Sequence, residues 1–133
     1  MTAGVGTLAP VSEQSMTRAA NGLIETLTDA NGRVVTYEYD GFDRLVKIRF
    51  PNAAGGGSST TDYEQYTYDA AGALTQDRRR DGNLIGYGYD NLNRVVLMDP
   101  PSTGLDTTYA YDNFGRLISA STPSQSLAYA YDQ

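Results

Sequence analysis

A four-residue signature, Tyr-x-Tyr-Asp, recurs along this chain and limits its fold more than any other feature. The copies are Tyr37-Glu38-Tyr39-Asp40, Tyr66-Thr67-Tyr68-Asp69, Tyr87-Gly88-Tyr89-Asp90, Tyr109-Ala110-Tyr111-Asp112 and Tyr129-Ala130-Tyr131-Asp132. Their first tyrosines stand at 37, 66, 87, 109 and 129, so the steps are 29, 21, 22 and 20 residues. Side chains alternate along a strand, so two tyrosines two apart share one face. Three residues beyond the first four aspartates stand Asp43, Gly72, Asn93 and Gly115. All are types that accept the left-handed backbone conformation. The spacing therefore predicts a three-residue hairpin loop that closes on a positive φ, after which the strand returns. A half-copy, Arg18-Ala19-Ala20-Asn21-Gly22-Leu23, aligns with Asp69-Ala70-Ala71-Gly72-Ala73-Leu74 and puts Asn21 at the same turn position.

A period of this length is the mark of a repeat array. The best copy continues through Asn113-Phe114-Gly115-Arg116-Leu117, and this pattern resembles the YD repeat of bacterial Rhs proteins, of insecticidal toxin-complex shell components and of teneurins. The resemblance covers roughly residues 17 to 133. It departs from the pattern where Asp43 and Asn93 replace the turn glycine and Ala73 the arginine. It implies an all-β fold: about five hairpins in one continuous, twisted antiparallel sheet, an open spiral or solenoid segment of an Rhs-type shell. In the family such sheets can close around a toxic C-terminal segment.

Along the chain, residues 1–16 read as an N-terminal extension and 17–133 as the hairpin array. Strands are expected at 23–28, 33–40, 44–50, 63–69, 74–79, 83–90, 95–98, 107–112, 117–121 and 127–132, with Asp29-Ala30-Asn31-Gly32 as a turn. Pro51 ends one strand because proline cannot donate to the ladder. The Gly/Ser-rich stretch 52–61 explains most of the long step and reads as a flexible loop. Val35, Ile85, Thr107 and Leu127 share the tyrosine face with Leu45, Leu74, Val95 and Leu117, while Glu38, Thr67, Gly88, Ala110 and Ala130 point the other way. Across the hairpins, Asp40, Asp90 and Asp112 should meet Arg44, Arg94 and Arg116.

Little in the chain points to chemistry. A net charge of −6 disfavours nucleic-acid phosphate and anionic membrane surfaces. There is no cysteine and no histidine, which removes disulfides and the commonest general base and metal ligand. No run reaches membrane-spanning length, and no signal peptide is seen. The recurring aspartates suggest calcium, but they lack acidic neighbours, and capping their own turns is the simpler role. The tyrosines could stack on sugars, yet packing within a pleated sheet suffices. Arg78-Arg79-Arg80 is flanked by Asp77 and Asp81 and reads as a solvated hairpin end. No catalytic, cofactor or metal residues are assigned, and no enzyme is expected.

Three readings follow. The first is a structural shell segment, with the rest of a larger Rhs shell as partner and an extracellular or cell-surface location implied by the resemblance. A second is a self-assembling fibre subunit. There the strand carrying Leu127, Tyr129 and Tyr131 would pair head to tail with the strand carrying Leu23 and Leu27 in another copy, since Arg18 to Asp132 spans five repeats in phase. The third is a glycan-binding module with exposed tyrosines.

Overall fold

The computed structural model describes residues 14–102 and 104–132. The strands, most of them formed where aromatic and β-branched residues alternate between turn signals, are β1 (Ser15–Arg18), β2 (Ile24–Thr28), β3 (Val34–Tyr39), β4 (Leu45–Pro51), β5 (Ser58–Tyr68), β6 (Leu74–Arg78), β7 (Leu84–Tyr89), β8 (Val95–Asp99), β9 (Thr107–Tyr111), β10 (Leu117–Ser121) and β11 (Ser126–Ala128). They follow chain order in an eleven-stranded sheet, each neighbour hydrogen-bonded to the next. The fold is all-β, and no helix occurs among the described residues.

The turns share one construction. The Asp40 N–H donates to the Arg44 carbonyl (2.9 Å), and the Asp43 N–H donates to the Asp40 carbonyl (3.1 Å). Asp69 to Ala73, Asp90 to Arg94 and Asp112 to Arg116 repeat both bonds. The residue three beyond the aspartate has φ of 62° at Asp43, 88° at Gly72, 60° at Asn93 and 80° at Gly115. The first turn differs from its expected phase: the positive φ falls on Gly22 (87°), not on Asn21. Ala19 makes the bonds that aspartate makes elsewhere, with its N–H on the Leu23 carbonyl and its own carbonyl accepting from Gly22. Glycine accepts the left-handed conformation more readily than asparagine, so the half-copy sits one residue later than its alignment suggests. The opposite hairpin ends use the same turn, at Asp29 to Arg33 and Arg79 to Asn83.

Just past each repeat turn the register slips. Glu38 faces Lys47 while Tyr39 faces Leu45, leaving Val46 as a one-residue bulge. The same slip isolates Glu25, Thr75, Val96 and Ile118. A bulge of this kind bends its strand and tightens the local twist.

By contact density the chain divides into two compact units, Met1–Tyr63 and Glu64–Gln133. Within the first, β1 lies antiparallel to β2, with Ser15 opposite Thr28. The edge of β2 expected to receive another copy is therefore already occupied by residues of its own chain. Ser15 and Met16, placed in the extension by sequence, belong to this strand, while residues 1–13 lie outside those described. The Gly/Ser-rich stretch is shorter and more ordered than expected: the Asn52 N–H donates to the Gly57 carbonyl, and Ser58 to Thr61 are already strand. Three successive glycines at positive φ let the backbone turn there.

In the second unit β11 stops at Ala128 and pairs with β10. Tyr129, Tyr131 and Asp132 lie beyond it, so the expected strand 127–132 is cut to its first residues. The Tyr131 side chain nevertheless keeps its place in the ladder described below.

No deep core exists among the described residues. Only Ala73 and Asp77 are buried, at 8% and 6% exposure, and most strand residues are half-buried. One sheet face takes Leu27, Val35, Tyr37 and Ile48 in the first unit and Ile85, Tyr87 and Met98 in the second. The other face carries Thr26, Thr36, Glu38 and Lys47, then Gly86, Gly88 and Ala110.

Candidate functional site

The repeat motif builds a ladder, and each residue of the signature has a separate task in it. Asparagine or aspartate at a turn start can accept backbone N–H groups two and four residues on. Asp40 Oδ1 accepts from the N–H groups of Phe42 (2.9 Å) and Arg44 (3.1 Å), and Oδ2 accepts from Arg44 Nε (2.7 Å). Asp90 does the same with Leu92 and Arg94, and Asp112 with Phe114 and Arg116. Asp69, whose turn has no arginine, accepts from the Ala73 N–H (2.9 Å). The Arg94 side-chain bond and the backbone N–H groups hold the Asp90 carboxyl below its ordinary value. Partial desolvation opposes the same shift at Asp40 and Asp112 and is outweighed by their N–H donors. These carboxylates are occupied by their own turns, and no group of three or more acidic residues among those described is placed to hold a metal ion.

The second tyrosine of the motif fastens one hairpin to the strand before it. Tyr39 Oη donates to the Ile24 carbonyl (3.0 Å), Tyr89 Oη to Leu74 (2.8 Å), Tyr111 Oη to Val95 (2.8 Å) and Tyr131 Oη to Leu117 (2.7 Å). Each acceptor opens a strand just past a turn. The turn arginine then stacks on the next repeat's tyrosine, Arg94 over Tyr111 and Arg116 over Tyr131, both 4.6 Å from the ring centre. A cation over an aromatic face is attracted by the ring quadrupole. Turn, tyrosine and preceding strand thus form one connected unit per repeat. In the first unit Asn21 Nδ2 also donates to Asp43 Oδ1 (2.7 Å), joining two successive turns.

The first tyrosines stand on the apolar face, with Tyr37 opposite Ile48 and Tyr87 opposite Met98. Tyr66 breaks the pattern, for buried Asp77 stands opposite it. Asp77 is paired with Arg79 (3.1 Å), while Tyr66 Oη donates to Glu64 Oε2 (2.9 Å). Burial first, then Glu64 and Asp77, push the Tyr66 hydroxyl up to about 12.

A recurring turn with its aspartate, its left-handed residue and its following tyrosine is a family-level signature, and comparison with known proteins identifies it. Residues 20–54 match the RHS Repeat family model. That stretch carries an Rhs repeat. The chain's fold is shared with the TcdB2-TccC3 complex solved without its hypervariable C-terminal region, at a TM-score of 0.67 and 24% identity over 82% of this chain and 5% of that one. A Photorhabdus luminescens Tc holotoxin pore gives a TM-score of 0.65 at the same identity and coverage. Among curated proteins, the tRNA(Glu)-specific nuclease WapA of Bacillus subtilis subsp. natto is 28% identical over 66% of this chain, and the tRNA nuclease WapA of Bacillus subtilis strain 168 is 27% identical over the same share. This Rhs-repeat chain spans only 4% of the length of each of those relatives.

Of the residues singled out by sequence, the Rhs signature residues Tyr39, Tyr89, Tyr111 and Tyr131 join strands, and Asp40, Asp69, Asp90 and Asp112 cap turns. Asp132 lies past β11. Leu23 and Leu27 flank or sit within a strand that β1 covers, while Leu127, Tyr129 and Tyr131 are more exposed. Sequence reasoning expected a glycine-type bulge at the turn itself and missed both the Tyr66-Asp77 departure and the strand bulge at Val46, Val96 and Ile118. The bulge had a signal, because Leu45-Val46, Val95-Val96 and Leu117-Ile118 place two apolar residues side by side where strict alternation allows one.

Proposed function

We propose that this chain is a structural, non-enzymatic wall segment of an Rhs-type shell, whose partner is the rest of a larger shell and whose setting is extracellular. The observation that supports it most is a sheet with one apolar tyrosine face and, among the described residues, no deep core, in which Tyr39, Tyr89, Tyr111 and Tyr131 each fasten to the strand before. Such a sheet can extend by repetition, and its mechanism would be to exclude solvent and macromolecules by continuity. The comparisons support the coarser reading of a structural Rhs-type segment. The nuclease activity named for the WapA relatives concerns proteins of which this chain matches a small part. The chain has neither histidine nor cysteine, and the motif aspartates Asp40, Asp69, Asp90 and Asp112 are committed to their own turns.

Two measurements on the purified chain test the proposal. A wall segment taken alone should bind a fluorescent apolar dye at its tyrosine face, and Tyr87→Thr combined with Tyr109→Thr should reduce that signal. It should also leave tRNA intact on prolonged incubation. Cleavage of tRNA that persists through repurification would overturn the non-enzymatic reading, and dye binding insensitive to both substitutions would overturn the apolar wall face.

A further inference from the structure

The chain holds two Asn-Gly pairs, Asn21-Gly22 and Asn31-Gly32, at the same position of the same kind of turn. In both, the glycine N–H donates to the carbonyl three residues back at 2.9 Å. Both glycines have positive φ, 87° and 76°, and neither would meet another atom within 4 Å at its Cβ position. The two asparagine side chains, by contrast, are held differently. Asn21 Nδ2 donates to Asp43 Oδ1 (2.7 Å), and its Oδ1 accepts the Leu23 N–H (3.2 Å). At Asn31 only the backbone N–H is engaged, with Asp29 Oδ1 (2.8 Å), and no hydrogen bond to its side chain is present among the described residues. Asn31 is exposed at the turn tip.

We infer that Asn31 is a site of spontaneous deamidation, with water as the only co-reactant, and that Asp43 protects its counterpart Asn21. The Gly32 backbone nitrogen attacks Asn31 Cγ, forming a carbon–nitrogen bond. The bond from Cγ to Nδ2 then breaks, and ammonia leaves with the proton that the glycine nitrogen gives up. Water opens the resulting five-membered imide at either carbonyl, leaving aspartate or isoaspartate. The net exchange is one water taken up and one ammonia lost. At Asn21 the same attack requires Cγ to rotate, which breaks two hydrogen bonds, one of them to a carboxylate. Loss of a charge-assisted bond of this kind slows the step by about tenfold or more. Isoaspartate at 31 also adds a backbone carbon inside a three-residue loop, so the product cannot keep the bond from Gly32 to Asp29 in its present geometry.

The test uses the intact chain, held folded in mildly alkaline buffer, with peptide mapping by mass spectrometry and separation of aspartate from isoaspartate. Conversion at residue 31 should outrun that at residue 21 by about tenfold or more. Asp43→Gly keeps a residue suited to positive φ and removes the carboxylate. It should accelerate conversion at 21 and leave the rate at 31 unchanged, the latter serving as an internal measure that the fold persists. Equal rates at the two asparagines in the folded chain, conversion at neither while both convert in denaturant, or an Asp43→Gly chain with residue 21 still slow would each overturn the inference.

Discussion

Tyr111→Phe isolates one rung of the ladder. The substitution keeps the ring, and with it the stacking of Arg94 at 4.6 Å, and removes only the hydroxyl that donates to the Val95 carbonyl at 2.8 Å. A net hydrogen bond of this sort contributes about 0.5–1.5 kcal/mol. The carbonyl left behind is only part-buried, so water can replace the lost donor and the upper end of that range is not expected. For a cooperative unit the size of residues 64–133, about 1 kcal/mol lowers the melting temperature by roughly 4–8 °C. Tyr109→Phe is the matched control. It sits two residues earlier on the same face, and among the described residues its hydroxyl has no hydrogen bond. Its effect should stay within about 0.5 kcal/mol, as for ordinary surface changes. Urea unfolding followed by circular dichroism, with the slope checked for constancy, measures both. If the two variants are destabilised equally, the hydroxyl-to-carbonyl bond does not fasten the hairpins, and the ladder is reduced to ring packing.

Three further outcomes follow from particular residues. Gly72→Val places a β-branched side chain at φ 88° and should cost about 1–2 kcal/mol in the same assay, whereas Gly72→Asn should cost clearly less. Asp90 is held below its ordinary value of 3.8 by Arg94, so its contribution is present above that pH and is lost as pH falls through the lower folded value; acid unfolding of Asp90→Asn should begin from a lower stability but show a shallower dependence there. Tyr66, raised from 10.0 to about 12, contributes stability that is full below pH 10 and fades toward 12, so ultraviolet titration should show a late phenolate near that value that disappears in Tyr66→Phe.

The array was legible because its turns impose a backbone demand that only a few residue types meet. Asp43 and Asn93 stand where glycine would be expected, and the offset from the tyrosines identified them even so. The phase error at Asn21 arose because the first copy lacks both tyrosines and its capping aspartate, leaving two candidate residues, Asn21 and Gly22, for one left-handed site. The end strands were the other failure. Ser15 to Arg18 carries no alternation of its own and is a strand because β2 offers it a partner, a cause no local pattern records. The strand 127–132 shows the converse, for its pattern is strong but only Leu127 and Ala128 lie in β11, with Tyr129 adding a single N–H bond to the Ile118 carbonyl. Asp77 was unreadable for a related reason: a carboxylate facing a tyrosine ring is recognisable only once the register is known.

The stapling of each tyrosine to the strand just before it also sets how the second unit would respond to mechanical load. A pull on residues 64 and 132 is directed across the strands, so it meets the backbone ladders and tyrosine fasteners one hairpin after another. Such a chain peels. Resistance arrives as a train of small, similar yield events, each releasing one repeat's length, and the array gives way gradually where a compact domain would hold and then fail at once.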